Sequence, residues 1–166
     1  MGMGVLVIAV VLAFAALVGS VKLPPALRGI GLILAIAIFI CGLLGASTAY
    51  VGPNEVGVVN KNILGSSLKD GKIIATNGEM GVQADVLPPG WHFGYWPGVY
   101  SVSTEPLIEI KQDQVGLIET SDGLPMPVGQ LFAPEFTQAE FQTMLDAKTF
   151  LTSGKGYKGK QTAVLT

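Results

Sequence analysis

"GIGLILAIAIFICGLLGAST", residues 29–48, contains no charged side chain, and its apolar residues occupy every face of a helix. About 20 such residues in a helix span the roughly 30 Å hydrocarbon core of a bilayer. Residues 3–21 form a second uncharged apolar run at the start of the chain. Only 13% of all residues are charged, about half the usual fraction. The two runs predict two transmembrane helices.

The connector between the runs, "KLPPALR" at residues 22–28, is short enough to predict a helical hairpin over residues 1–50. Pro24 and Pro25 end the first helix because proline donates no backbone hydrogen bond. The first run lacks the positive flank of a secretory signal, so we expect it to remain in the mature protein. Both ends of the hairpin then lie on one side of the membrane.

The positions of the basic residues indicate how the hairpin is oriented in the membrane. Lys22 and Arg28 in the connector favour a cytoplasmic connector and an extracytoplasmic domain, on the same side as the N-terminus. Lys61 and Lys69, close after the second run, favour the opposite orientation. A stripe of small residues in the second run is a candidate helix–helix contact, since small side chains let helices approach closely. The stripe consists of Gly29, Gly31, Ala35 and Ala37.

After residue 50 the sequence changes to short runs rich in β-branched residues, separated by glycine and proline, which are typical of strands. These runs are residues 55–59, 72–76, 99–103, 107–111 and 115–119. The run "LIEIK" at 107–111 alternates apolar and polar residues and predicts a strand with one wet face.

One amphipathic helix is predicted in this part, over residues 136–151. Thr137 and Glu140 have the spacing of a capping box, and Phe136 and Phe141 that of a hydrophobic staple. The apolar positions that follow recur at helical spacing.

The chain contains a partial internal repeat, between residues 54–93 (the first unit) and 113–166 (the second unit). "NEVGVV" at 54–59 returns as "DQVGLI" at 113–118, and "GVQADVL" at 81–87 has a looser echo in "GKQTAVL" at 159–165. Each unit is predicted to contain a strand, a glycine-rich excursion and a second strand with a glutamine.

Several motifs occur in an order that resembles the SPFH family of stomatins, prohibitins and flotillins, closest to its flotillin-like or larger bacterial members. The motifs are "YVGPNEVGVV" (50–59), "LPPGWHF" (87–93), "WPGVYSV" (96–102), "VGLIETSDGLPMPVG" (115–129) and "FLTSGKGYKGKQTAVL" (150–165). The resemblance covers residues 51–166 and implies an α+β domain with a curved antiparallel sheet and at least one amphipathic helix. It also implies a bacterial inner-membrane protein.

The function implied by the resemblance is that of a membrane-anchored scaffold. Family members assemble into large rings or cages that organise membrane microdomains or enclose and regulate partners, including FtsH-type proteases. They usually continue into a long coiled-coil helix, and no heptad run occurs here. We therefore expect the natural polypeptide to continue beyond Thr166, first with a Pro/Gly turn and an aromatic residue.

The densest aromatic stretch, "PPGWHFGYWP" at 88–97, contains the only histidine, His92. No catalytic motif surrounds it, so no enzyme activity, cofactor or metal is predicted. The prolines force a turn. Two interpretations remain for its rings: they pack the turn and core, or they contact lipid headgroups at the membrane interface. The rings are Trp91, Phe93, Tyr95 and Trp96.

The predicted partners are the lipid bilayer, further copies of the chain in a large homo-oligomer, and a membrane protease or other membrane protein. The net charge of −2 argues against nucleic acid, whose binding surfaces are strongly basic. The alternative function is a small accessory subunit of another membrane complex, a transporter partner or protease regulator, that packs through its helical hairpin.

Overall fold

The computed structural model describes residues 2–137 and 140–165. Its N-terminal part is a helical hairpin. Helix α1 spans Gly2–Val21 and helix α2 spans Pro25–Ala46. Proline is tolerated at the first position of α2, where no intrahelical N–H bond is required. Both helices are long and apolar enough to cross a membrane. The two predicted apolar helices are therefore confirmed, and the second begins earlier than predicted.

Small residues bring the two helices of the hairpin together. A Cβ atom added to Gly42 would lie 1.9 Å from Cβ of Ala9, and one added to Gly31 would lie 2.5 Å from Cβ of Ser20. Early residues of α1 thus meet late residues of α2, and the helices run antiparallel. The outer surface of the hairpin is apolar, with Phe14 and Ile33 each 66% exposed. Exposure of such an apolar surface to water is unfavourable, whereas the acyl chains of a bilayer would cover it.

A mixed α/β region follows. Its strands are β1 (Ala49–Val51), β2 (Glu55–Lys61), β3 (Ile74–Ala75), β4 (Gly81–Leu87), β5 (Gly90–His92), β6 (Tyr100–Pro106), β7 (Gly116–Thr120) and β8 (Gly159–Leu165). Its helices are α3 (Phe141–Leu145) and α4 (Ala147–Thr152). The described strands form three sheets, with the orders β1-β5, β3-β4-β2-β6 and β7-β8. All pairs are antiparallel except β3–β4, which is parallel.

The core of the four-stranded sheet is small. Val51, Val59 and Leu87 are buried together. Tyr95 and Tyr100 pack against this cluster with their rings 5.7 Å apart, edge to face. Burial of these apolar side chains away from water stabilises the sheet beside the end of the hairpin.

Two details differ from the sequence-based expectations. A single curved antiparallel sheet was expected, but the region contains several sheets and one parallel pair. Residues 107–111 do not form the predicted strand. Alternation makes a segment suited to a sheet, but pairing also needs a neighbouring strand edge, and β6 ends at Pro106.

The predicted helix at 136–151 is interrupted. Asp146 has extended backbone angles and separates α3 from α4, and its carboxylate accepts the Thr149 N–H at 2.7 Å. This side chain caps α4 and so competes with continuation of the helix. The Glu140 carboxylate accepts the Thr137 N–H at 3.2 Å, one of the two bonds of the predicted capping box. Helix α3 nevertheless begins at Phe141, with Glu140 and not Thr137 at its N-cap position. Residues 138–139 and the side chain of Phe141 lie outside the described part.

The two units of the partial repeat pair their strands in equivalent register. In the first unit the pairs are Gly57–Leu87 and Lys61–Gly81, and in the second they are Gly116–Leu165 and Thr120–Gly159. Both ladders have an irregularity at their middle. Gln83 donates from its side chain to the carbonyls of Glu79 and Gly81, and Gln161 donates likewise to Tyr157 and Gly159.

Candidate membrane-interface site

The aromatic turn, residues 88–97, lies directly against the end of α2. Strand β1 begins just after the helix and pairs with β5, which belongs to the turn, so that Ala49 lies opposite His92. The Tyr95 N–H donates to the Ser47 carbonyl at 2.9 Å. These backbone hydrogen bonds leave no flexible linker between the hairpin and the α/β region. The turn is therefore held at the level where α2 ends.

Four rings at this junction form an aromatic surface, defined here as Tyr50, Trp91, Phe93 and Trp96. The Tyr50 and Trp91 rings contact each other across β1 and β5 in a tilted arrangement, with centroids 5.0 Å apart. Trp91 is 65% exposed and Phe93 is 73% exposed. Tyrosine and tryptophan rings, which have an apolar body and a polar edge, favour the boundary between lipid and water. The arrangement is suited to contact with the bilayer surface.

A shallow apolar groove of about 450 Å³ separates part of the aromatic surface from the last turn of α2. Leu44 and Gly45 line its helical side, and Phe93 and Trp96 line the side of the turn. Gly94, which adopts a φ of 92°, gives the chain the sharp bend between these two rings. The groove begins where the apolar helix ends, so its walls continue the hydrophobic surface of α2.

Tyr95 has a different role from the other rings of the turn. Its side chain packs against the buried cluster of Val51, Val59 and Leu87. Burial raises the pKa of the Tyr95 phenol, and interactions with Tyr100 and Asp85 raise it further. The structure thus divides the rings of the stretch: Tyr95 packs in the core, and Trp91 and Phe93 are exposed beside the helix end. Contact of the exposed rings with lipid headgroups stays a prediction.

His92 has a structural environment. Its Nε2 atom lies 2.7 Å from the Pro88 carbonyl oxygen, a bond that closes the turn. Within residues 2–137 and 140–165, no group of three or more His, Cys, Asp or Glu side chains is arranged to hold a metal ion.

The small-residue stripe of α2 divides between two faces. Gly31 and Ala35 face α1 within the hairpin. A Cβ atom added to Gly29 would have no neighbour within 4 Å, and Ala37 is exposed. Within the stripe, Gly29 and Ala37 thus remain accessible for contact with another chain.

A second cavity, of about 330 Å³, lies between β3, the end of β7 and the two short helices. Ile74, Ile118 and Phe150 are among its apolar lining residues, and Asp122 lies at its wall. The buried Asp122 carboxylate accepts the Ile73 and Ile74 N–H groups at 2.8 and 2.7 Å. It links the first unit to the second.

The charge state of Asp122 follows from these bonds. Burial alone would raise the pKa of this carboxyl, but the N–H groups of Ile74, Ile73 and Gly123 lower it, and the net shift is downward. Lys158 contributes a smaller lowering. Asp122 is therefore an ionised structural group, satisfied by backbone donors.

The sequence did not indicate the parts of the site that depend on tertiary contacts. Tyr50 was missed because its partner, Trp91, is distant in sequence, and only the strand pairing brings the rings together. Asp122 was missed because "SDG" at 121–123 is an ordinary turn signal. A search of protein families, curated proteins and solved structures finds no match to this chain.

Proposed function

We propose that this protein is a membrane-anchored scaffold of the SPFH type, whose hairpin holds an α/β domain against the bilayer within a large homo-oligomer. The observation that carries the proposal is the rigid junction between α2 and the aromatic turn. The Ser47–Tyr95 hydrogen bond and the β1–β5 pairing fix the domain to the helix end. A domain fixed in this way keeps one orientation to the membrane, which a two-dimensional assembly requires.

The chemistry of the domain surface supports assembly. Large apolar side chains are exposed outside the hairpin, including Ile108 at 90% and Leu131 at 85%. Exposed apolar area of this kind is typical of surfaces that contact lipid or protein. The scaffold would organise membrane microdomains, or enclose and regulate partner membrane proteins such as FtsH-type proteases. We place it in the bacterial inner membrane, with an extracytoplasmic domain.

The accessory-subunit alternative has one observation in its favour. Gly29 and Ala37 are exposed on the outside of the hairpin, where helices of another protein could approach closely. In that case the hairpin would bind foreign helices in a fixed low copy number.

The test is the mass of the protein extracted from its membrane in mild detergent, measured by native electrophoresis and particle imaging. A homo-oligomeric ring or cage supports the scaffold. A small complex with other chains supports the accessory subunit. A discrete monomer would contradict both.

A further inference from the structure

The four-stranded sheet has one end beside the aromatic turn. Strand β6 begins at Tyr100, shortly after the turn. In the antiparallel pairing of β2 with β6, Lys61 lies opposite Tyr100, and Glu55 lies opposite Pro106. Strand β2 therefore runs toward the aromatic turn and ends next to it. Because the turn is bonded to the end of α2, we call this the membrane-proximal end of the sheet.

The loop that follows β2, residues 62–66, is connected to the end of α2 by a short series of contacts. Trp96 lines the same apolar groove as Leu44 in the last turns of α2. The Val99 N–H donates to the Trp96 carbonyl at 3.1 Å, and the Asn62 N–H donates to the Val99 carbonyl at 2.8 Å. The loop thus begins two hydrogen bonds away from a ring beside the apolar helix.

The tip of this loop carries two exposed aliphatic side chains. Ile63 is 49% exposed and Leu64 is 76% exposed. Within residues 2–137 and 140–165, Leu64 is also the one non-glycine residue with a positive φ, of 63°. A leucine adopts this left-handed conformation with strain, whereas glycine or asparagine adopts it readily. The tip therefore combines backbone strain with apolar exposure.

The backbone of the loop is fixed at both sides of the tip. The Met80 N–H donates to the Ser66 carbonyl at 2.8 Å. A Cβ atom added to Gly65 would lie 3.0 Å from the Gly78 carbonyl oxygen, so the loop passes close to the turn before β4. The Lys61 ammonium donates to the same carbonyl at 2.8 Å. These contacts hold the loop in place and keep its tip directed outward.

We propose that Ile63 and Leu64 insert into the bilayer in which the hairpin is anchored, as a second membrane contact beside the aromatic surface. The bilayer is the occupant that this position favours, because lipid surrounds α2 where the groove begins and the tip lies at the same end of the sheet. Insertion would bury both side chains at the headgroup boundary and offset the strain at Leu64.

A second contact would determine how the domain sits on the membrane. The end of α2 alone fixes one point of the domain, whereas the helix end together with a loop tip to one side of it also fixes the tilt. The contact rests on the membrane anchoring in the proposed function, but it does not depend on the number of copies in the assembly.

A fluorophore attached at position 64 tests the contact in the full chain. Leu64→Cys is combined with Cys41→Ser, so that the labelled thiol is the single one. The protein is placed in nanodiscs of phosphatidylcholine and phosphatidylglycerol, in which both membrane faces are open to water. Lipids with a nitroxide at the headgroup quench a probe at the interface, and iodide quenches a probe in water.

The matched control is Asn54→Cys, also with Cys41→Ser. Asn54 is exposed and precedes the opposite end of β2, about 20 Å along the strand. We expect the headgroup nitroxide to quench the probe at position 64 at least about threefold more strongly than the probe at position 54, with the reverse order for iodide.

A change at the tip tests whether its apolar character drives insertion. With the probe on Ile63→Cys, Leu64→Asp should reduce nitroxide quenching at least about threefold, because a carboxylate does not enter the apolar part of the interface. Aspartate tolerates a positive φ, so the loop conformation is retained. Leu64→Met, the matched control, keeps an apolar side chain and should be quenched as the wild-type tip is.

The native thiol of Cys41, labelled in the otherwise unchanged chain, reports membrane anchoring separately. Quenching of Cys41 by acyl-chain nitroxides, together with headgroup quenching at position 64, supports the contact. Quenching of Cys41 with position 64 open to iodide overturns it and leaves the anchoring intact. Protection of position 64 from iodide without nitroxide quenching also overturns it, because protein then covers the tip. Lack of quenching at Cys41 removes both the anchoring and the contact.

Discussion

The first and second units pair their strands in equivalent register, yet their surroundings differ. Beside the first unit, β6 covers the outer edge of β2, and the aromatic turn joins this region to the end of α2. In the second unit, α3 and α4 lie beside the strand pair, and Asp122 connects it to the first unit. The comparison indicates that the same pair of antiparallel strands forms in two different structural surroundings. What differs is which surface each unit leaves exposed.

Removing the carboxylate that joins the units should have the largest effect. Asp122→Ala leaves the Ile73 and Ile74 N–H groups buried without an acceptor, so we expect a loss of about 3 kcal/mol in the free energy of unfolding. Denaturant unfolding of the protein in detergent measures it. Asp113→Ala, which removes an exposed carboxylate, is the control and should change stability by less than about 0.5 kcal/mol.

The same residue predicts a pH dependence. The pKa of Asp122 is lower in the folded protein than its ordinary value of 3.8, so the ionised form stabilises the fold. This contribution is fully present above the unfolded pKa and is lost as the pH falls below about 3.8 through the folded pKa. Asp122→Asn should show a shallower loss of stability over this acidic range. Identical acid profiles for the two proteins would contradict the assigned role.

The two glutamines test the equivalence of the units directly. Gln161 is 1% exposed and donates to two carbonyls and to the Thr120 hydroxyl, while the corresponding Gln83 is half-buried and makes only the two carbonyl bonds among the described residues. Gln161→Leu should therefore cost about 2 kcal/mol of unfolding free energy and Gln83→Leu about 1 kcal/mol. Equal effects, or a larger effect at Gln83, would contradict the dependence of these bonds on burial.

The parts of the structure that the sequence predicted are those with local signals, and the parts that it missed depend on contacts between distant residues. The hairpin and most strands were predictable, because apolar runs and β-branched clusters are local signals. The segment 107–111 was predicted wrongly because its alternation says nothing of whether an edge lies beside it. The break at Asp146 depends on one capping bond that competes with helical periodicity. The division of the chain near residue 50 and the SPFH resemblance stay predictions.

The candidate site was predictable in its residues but not in its geometry. The aromatic stretch was identified from composition, whereas its contact with the helix end depends on the bond between Ser47 and Tyr95. Burial divides the rings in a way that composition cannot show, since Tyr95 packs in the core and Phe93 is 73% exposed.

The exposed rings should affect membrane contact and not stability. Trp91 and Trp96 are the only tryptophans, so Trp96→Phe leaves Trp91 as a single fluorescent reporter. In vesicles with lipids brominated near the headgroup, we expect strong quenching of Trp91, because it lies at the level where α2 ends. Phe93→Ala should change the unfolding free energy by less than about 1 kcal/mol and weaken the quenching. Quenching no stronger than that of a water-exposed tryptophan would exclude an interfacial position.

His92→Gln should have the smallest effect of all, although His92 is the only histidine in the chain. The ring makes one bond, between Nε2 and the Pro88 carbonyl, and a glutamine amide can donate to the same oxygen. We expect unfolding free energy within about 0.5 kcal/mol of wild type and an unchanged oligomer mass. His92→Ala, which removes the donor, should cost about 1 kcal/mol and serves as the comparison. If His92→Gln instead abolished a cellular function while stability and assembly were retained, the imidazole would have a chemical role and the structural account of the turn would be wrong.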